Sequence, residues 1–148
     1  MSKPEHVSFE LTCYVRDHCL CLHMQRAARA LARRFDEALR PLGLTNGQFS
    51  LLMALNQPEP VRPGPVAELL AMDRTTLTAA LKPLQRRGLV AVSVDPDDRR
   101  GRRLLLTEAG RALLGEAMPI WRREHAEVDR HLSPADGEHL RAALRALS

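Results

Sequence analysis

The spacing of apolar residues changes at Gly88, and this change constrains the fold more than any other feature of the chain. Before it, leucines in residues 74–87 recur every three or four positions, which predicts a helix. After it, residues 90–94 alternate valines with small side chains, the period of a strand. An arginine-rich turn and a second alternating stretch complete residues 90–106. The pattern therefore predicts a helix followed by a two-stranded β-hairpin.

Capping signals predict two helices ahead of this pair. Thr45 and Gln48 have the spacing of a capping box, which predicts that a helix begins there. Four prolines in residues 56–65 predict a loop, and a short helix follows over about 66–71. Asp73 is then placed to cap the helix over 74–87.

Long helices are predicted at both ends of the chain. Apolar residues from about 13 to 40 follow helical spacing and predict one long helix, whereas residues 1–12 suggest a loose arm. Thr107 is placed to cap a helix running to about Leu132, and Ser133-Pro134 begins a last one. We therefore expect one mainly α (α+β) domain over 1–148, a winged helix-turn-helix at 45–107 flanked by helices at 13–42 and 108–148.

The composition excludes several classes of protein. No stretch approaches the roughly 18 consecutive apolar residues of a membrane-spanning helix, and the first residues lack the pattern of a secretory signal. Three cysteines within nine positions (Cys13, Cys19 and Cys21) do not make a disulfide framework and indicate a reducing compartment. We expect a cytoplasmic protein without a membrane partner or cofactor.

The positive charge is concentrated in one segment. The chain has a formal net charge of +4. Residues 74–103 hold eight basic and three acidic residues, so this segment carries +5 and the rest of the chain −1. A solvated basic face would show the same count, but the order of a helix-turn-helix and a hairpin favours binding to double-stranded DNA.

In such a fold the second helix enters the major groove and the hairpin is suited to the minor groove. Asp98 precedes Arg100 by two positions, so its carboxylate is predicted to brace the Arg100 guanidinium. The predicted DNA-binding residues are Arg74, Thr75, Thr76, Thr78, Lys82, Arg86, Arg99, Arg100 and Arg102.

These motifs resemble the MarR family of bacterial transcription regulators over about residues 13–148. The resemblance rests on DRTTLT at 73–78, LQRRGLV at 84–90, DPDDRR at 95–100 and LTEAG at 106–110. It implies a homodimer whose end helices interlock on a near-palindromic operator, released by a small ligand or an oxidant. The apolar stripes of the end helices independently suggest a dimer, although a monomer that folds these helices back is the alternative.

The chain departs from the family at Ala79 and Ala80, where an arginine or another polar side chain is common. Each alanine forgoes a base contact of the kind that contributes about 1–3 kcal/mol of discrimination. Sequence readout would then depend on the threonines, Lys82, the wing arginines and DNA shape.

The cysteines and their neighbours are consistent with two kinds of regulatory input, an oxidant or a small-molecule effector. Cys21, with Arg29 eight residues on, resembles the reactive cysteine of the organic-hydroperoxide-sensing branch, but Phe35 and Asn46 stand where that branch has tyrosines. Simple packing of small thiols is the alternative. The resemblance also implies an effector pocket for an aromatic or phenolic acid, with Arg16, His18, Met24 and Arg26 as candidate lining residues.

Other functions have less support. Cys19 and His23 share a helix face, but Cys21 points away, so one helix cannot direct all three at a metal. We therefore predict no metal site. No phosphate loop or nucleophile motif indicates an enzyme, and an architectural DNA-binding protein without effector is the remaining alternative.

Overall fold

The computed structural model describes residue 1 and residues 6–148. Within them the chain is mainly helical, with one two-stranded antiparallel sheet. The elements are α1 Phe9–His18, α2 Leu20–Leu39, a 3₁₀ turn Arg40–Leu42, α3 Asn46–Leu55, α4 Pro63–Leu69, α5 Arg74–Arg86, β1 Val90–Val94, β2 Arg102–Leu106, α6 Glu108–Asp129 and α7 Pro134–Ala146. The predicted mainly α winged helix-turn-helix is confirmed, with α4 and α5 as its helix pair and β1–β2 as the wing.

The predicted caps begin the helices of the central region. Thr45 Oγ1 accepts a hydrogen bond from Gln48 N at 3.2 Å, and Gln48 Oε1 accepts one from Thr45 N at 3.1 Å, which completes the capping box. Gly88 follows α5 with a φ of +72°, a left-handed conformation that glycine adopts at little cost. The chain therefore turns directly from α5 into the wing.

The proline-rich segment contains more structure than predicted. Val61 forms a β-bridge with Leu104, and their two backbone hydrogen bonds measure 2.9 and 2.7 Å. α4 begins at Pro63, ahead of the predicted start near 66, because a proline at the first helical position needs no hydrogen-bond partner. The segment before α4 is thus attached to the edge of the wing.

The N-terminal region differs from the prediction. Helix α1 already begins at Phe9, capped by Ser8, and the single helix predicted from 13 to about 40 is broken at Cys19, whose ψ is 109°. Cys19 ends α1 and caps α2, with its Sγ accepting from Leu22 N at 3.5 Å. The rings of His18 and His23 donate through Nδ1 to the carbonyls of Tyr14 and Cys19, each at 2.8 Å, and Cys19 O also accepts from His23 N at 3.2 Å.

The core lies under the winged region, and the ends of the chain contribute little to it. Fully buried leucines of α2, α3, α5 and β2 form one cluster that includes Leu52 and Leu84, and α6 packs on α2 and α3. Within this one chain, α1 buries no residue and α7 buries Gly137. Across the described residues, no helix combines the length and apolar character needed to cross a bilayer.

Candidate DNA-binding surface

The N-terminus of α5 is held by Asp73. Its Oδ1 accepts from Thr76 N at 2.7 Å and its Oδ2 from Thr76 Oγ1 at 3.0 Å. These hydrogen bonds, the one from the Thr76 backbone first, lower the pKa of the Asp73 carboxyl. Thr78 Oγ1 donates to Arg74 O at 2.9 Å. The hydroxyls of Thr76 and Thr78 therefore donate within their own helix and have only acceptor capacity left for DNA.

The outward face of α5 is polar and exposed, while its leucines are buried on the opposite side. Ala80 is half-buried and packs against the core, so it is not an open recognition position, whereas Ala79 is exposed. A shallow depression of about 320 Å³ runs along this face. Its lining residues are Arg74, Thr75, Thr78, Ala79 and Lys82.

A deeper groove of about 440 Å³ separates α5 from the wing. It brings together four of the residues predicted to bind DNA, Arg74 and Thr78 of α5 and Arg100 and Arg102 of the wing. The lining residues are Arg62, Pro63, Arg74, Thr78, Asp95, Asp98, Arg100, Gly101 and Arg102. The predicted residues Thr76, Arg86 and Arg99 are exposed but do not line either depression.

The predicted brace between the Asp98 carboxylate and the Arg100 guanidinium is wrong. Asp98 Oδ1 instead accepts from the backbone N of Arg100 at 3.0 Å, while the Asp98 carbonyl accepts from Gly101 N at 2.8 Å. A two-residue reach favours the nearby backbone amide over the end of a long side chain. Asp98 thus shapes the turn of the wing, and the Arg100 side chain projects from that turn into the groove.

A buried carboxylate at the base of the wing was missed by the sequence reasoning. Asp95 is 2% exposed, and its Oδ1 accepts from Asp97 N at 3.0 Å. Its Oδ2 lies 3.2 Å from Arg62 Nε and 3.2 Å from Arg103 Nε. The hydrogen bond from Asp97 N, followed by the Arg103 and Arg62 charges, holds the pKa of Asp95 below its ordinary value despite burial. The alternation of β1 gave no signal of this burial, because it puts residue 95 in phase with the exposed Ala91 and Ser93, and the partner Arg62 lies 33 positions away.

Two arginines in the basic segment serve the fold. Arg87 donates to the carbonyls of Gly43 at 2.7 Å and Leu42 at 3.2 Å, so it links the end of α5 to the turn after α2. Arg103 pairs with Asp95 and also lies 3.4 Å from Asp97. The charge count over 74–103 therefore overstates the number of arginines that are free to meet DNA.

The candidate sensor residues lie apart from this surface. Cys21 is exposed, and its Sγ accepts a hydrogen bond from Gln25 Nε2 at 3.3 Å. Arg16 forms a two-bond pair with Asp17, and His18 stacks on Tyr14 with ring centroids 4.1 Å apart. Met24 is half-buried and Arg26 exposed, and neither lines the two depressions. Among the described residues there is no group of three or more His, Cys, Asp or Glu side chains placed to hold a metal ion.

The helix pair, the basic groove and the wing define a winged-helix DNA-binding protein. The sequence model of the MarR family matches residues 44–101. A crystal structure of the Mycobacterium tuberculosis transcriptional regulator MosR in complex with DNA is 39% identical, with a TM-score of 0.80 over 88% of this chain and 93% of that one. The chain belongs to the MarR family of transcriptional regulators.

Two further relatives show the range of the family. The structure of BpsR from Bordetella bronchiseptica, whose DNA binding is regulated by 6-hydroxynicotinic acid, is 31% identical with a TM-score of 0.74 over 84% of this chain and 94% of that one. The organic hydroperoxide resistance transcriptional regulator of Bacillus subtilis is 29% identical over 68% of this chain and 69% of its own length. The chain spans 51% to 69% of the length of the curated regulators that it matches.

Proposed function

We propose that this protein is a homodimeric repressor that binds a near-palindromic operator in double-stranded DNA. The observation that carries the proposal is the groove in which Arg74 and Thr78 of α5 face Arg100 and Arg102 of the wing. Residues of the recognition helix read base edges in the major groove, whereas arginines of a wing suit the narrow minor groove. One winged region thus offers matched contacts for two adjacent grooves.

The homodimer is supported by the ends of the chain. Phe9 and Tyr14 of α1 are 80% and 60% exposed, and Leu140 and Leu144 of α7 are 46% and 40% exposed. Apolar side chains in this number on two terminal helices are typical of surfaces that a second subunit covers. A two-fold dimer would place two copies of α5 on the two halves of a palindrome.

Release of DNA by a small aromatic or phenolic acid is the regulatory part of the proposal. The regulation of BpsR by 6-hydroxynicotinic acid supports this class of effector. Arg16, His18, Met24 and Arg26 stay the candidate lining residues. They lie on α1 and on the first turns of α2, around the break at Cys19, where a second subunit would complete a cleft.

Sensing of peroxide through Cys21 is the second candidate function. Its thiol is exposed in the first turn of α2, where a hydroperoxide can reach the sulfur. Oxidation by a hydroperoxide would add one oxygen to sulfur to give a sulfenic acid and release the corresponding alcohol.

A competition binding assay tests the main proposal. Purified protein is titrated against labelled DNA from upstream of its own gene, with scrambled DNA as competitor. A repressor should prefer its operator by about 10³-fold or more, whereas an architectural protein would bind both alike. Arg100→Ala should greatly weaken operator binding, and Arg130→Ala, at the far end of α6, should not. Equal affinity for both DNAs, or an unchanged Arg100→Ala, would contradict the proposal.

The redox candidate is tested in the same assay with organic hydroperoxide. Oxidant should abolish operator binding by the wild type and spare Cys21→Ser, and reductant should restore binding. The matched control is Cys13→Ser, which should stay as sensitive as the wild type. Equal sensitivity of wild type and Cys21→Ser would discard Cys21 as the sensor.

A further inference from the structure

Asp95 joins two parts of the molecule that are far apart in sequence. Its Oδ2 accepts from Arg62 Nε, which belongs to the residue that precedes α4, and also faces Arg103 of β2. The neighbouring Val61–Leu104 bridge attaches the same segment to the wing through the backbone. The helix pair and the wing are therefore tied together at one buried carboxylate.

The two arginines at this junction differ in exposure and in partners. Both guanidinium groups face the buried Asp95 carboxylate, but Arg103 also pairs with Asp97 and its side chain is 24% exposed. The Arg62 side chain is 57% exposed, and Asp95 is its carboxylate partner within 4 Å in the described part of the chain. Arg62 is thus the guanidinium at the junction that is more open to a ligand.

The Arg62 guanidinium contacts Asp95 through one nitrogen and keeps donors for a further ligand. Asp95 engages Nε at 3.2 Å, so the two Nη amino groups stay available as donors. Arg62 also lines the groove between α5 and the wing. When a recognition helix occupies the major groove and a wing the minor groove, the DNA strand between those grooves passes over this junction.

We propose that Arg62 binds a backbone phosphate of the DNA strand that crosses between α5 and the wing, and that Asp95 is the positioning residue that orients its guanidinium. The inference rests on the proposed function, because it assumes the docking of α5 and the wing. It adds a phosphate contact that fixes the register of the two groove contacts relative to each other. A guanidinium can offer Nε to Asp95 and its two Nη groups, held in a fixed plane, to phosphate.

The first test compares Arg62→Gln with Arg130→Gln, which removes the same charge at the C-terminal end of α6, away from the groove. Operator affinity is measured from 50 to 200 mM salt. The slope of log affinity against log salt should fall by about 0.9 for each Arg62 on the DNA, and so by about 1.8 for a dimer. Arg130→Gln should keep the salt slope of the wild type. Size-exclusion chromatography checks that all variants have the same dimer content before their slopes are compared.

Arg62→Lys separates the phosphate contact from a purely structural role. Lysine keeps the charge and can still pair with Asp95, so thermal stability should stay near that of the wild type. Because lysine keeps the charge beside the phosphate, the salt slope should stay near that of the wild type. A wild-type slope for Arg62→Gln, or a slope for Arg62→Lys that falls as far as that of Arg62→Gln, would overturn the proposal.

Asp95→Asn tests the positioning role, because the role predicts weaker operator binding whereas loss of a negative charge alone predicts tighter binding. Removal of a negative charge near DNA should by itself strengthen binding, and the exposed Asp97→Asn serves as the control with the same charge change. We expect Asp95→Asn to weaken operator binding several-fold because Arg62 loses its orientation. Tighter binding by a folded Asp95→Asn would contradict the positioning role, and the Arg62 variants decide if this variant does not fold.

Failure of this inference is distinguishable from failure of the proposed function. If the wild type prefers its operator and Arg62→Gln keeps its salt slope, the phosphate contact is refuted while the repressor proposal stands. If the wild type shows no preference for its operator over scrambled DNA, both are refuted.

Discussion

Substitution of Gly110 by alanine should destabilise the protein by forcing the wing away from α6. Gly110 is buried in the first turn of α6, and a Cβ built on it would lie 2.2 Å from the carbonyl oxygen of Leu89. It would also lie 2.7 Å from Leu106 Cδ1. The leucine could rotate, but the carbonyl is fixed because it accepts a hydrogen bond from Thr107 N at 3.0 Å.

The magnitude follows from two opposing effects. Alanine is more favourable than glycine inside a helix by about 1 kcal/mol. Overpacking of a close-packed core typically costs about 1–3 kcal/mol, and the upper part of that range applies where backbone must move. We therefore expect Gly110→Ala to lower the free energy of unfolding by roughly 1–2 kcal/mol net. The Leu-Thr-x-x-Gly motif at 106–110 thus has a steric reason for its glycine.

Gly115 provides the matched control in the same helix. A Cβ at Gly115 would meet no atom within 4 Å in this chain, so Gly115→Ala should stabilise by about 0.5–1 kcal/mol. Both variants are measured by urea denaturation at one fixed protein concentration, since a dimer unfolds in a concentration-dependent way. If Gly110→Ala is as stable as Gly115→Ala, then α6 does not pack so closely against the Leu89 carbonyl that a Cβ is excluded, and the steric argument is wrong.

Two further predictions concern the ends of α5. Asp73→Ala should lower the melting temperature at pH 7 because Thr76 loses its cap. Since the pKa of Asp73 is lowered in the folded protein, this stabilisation is complete above the unfolded pKa and is lost as pH falls through the folded pKa. The melting temperatures of the wild type and Asp73→Ala should therefore converge as the pH is lowered from 7 to 3. Arg87→Ala should cost about 1–2 kcal/mol of stability through its two carbonyl hydrogen bonds and leave the salt slope of DNA binding unchanged. A reduced slope for Arg87→Ala would show that this arginine meets DNA instead.

Features that depend on neighbouring residues could be predicted from the sequence. The caps at Thr45, Asp73 and Thr107 and the alternation of the wing act over three or four positions, and the structure confirms each of them. The break at Cys19 could not be predicted, because the apolar spacing continues across it. Near the break, the His18 and His23 rings donate to the carbonyls of Tyr14 and Cys19, and nothing in the sequence indicates these hydrogen bonds.

Contacts between distant residues explain the rest of the difference. Arg87 donates to carbonyls more than 40 positions away, and Asp95 accepts from Arg62, which is 33 positions away. No local sequence pattern indicates either contact. These contacts decide which arginines carry free charge. A count over 74–103 includes Arg87 and Arg103, which the fold uses, and omits Arg62, which borders the groove.

The three aspartates of the wing show why a basic DNA-binding hairpin can contain acidic residues. Asp95 is buried against two guanidinium groups, Asp97 pairs with Arg103, and Asp98 closes the turn through the Arg100 amide. Each carboxylate accepts a hydrogen bond from a backbone amide or an arginine of the wing region, and that donor would lack a protein acceptor without it. Their negative charge is therefore offset locally, while Arg100 and Arg102 stay on the groove. The acidic residues determine the shape of the wing, and this shape determines where its free arginines are presented.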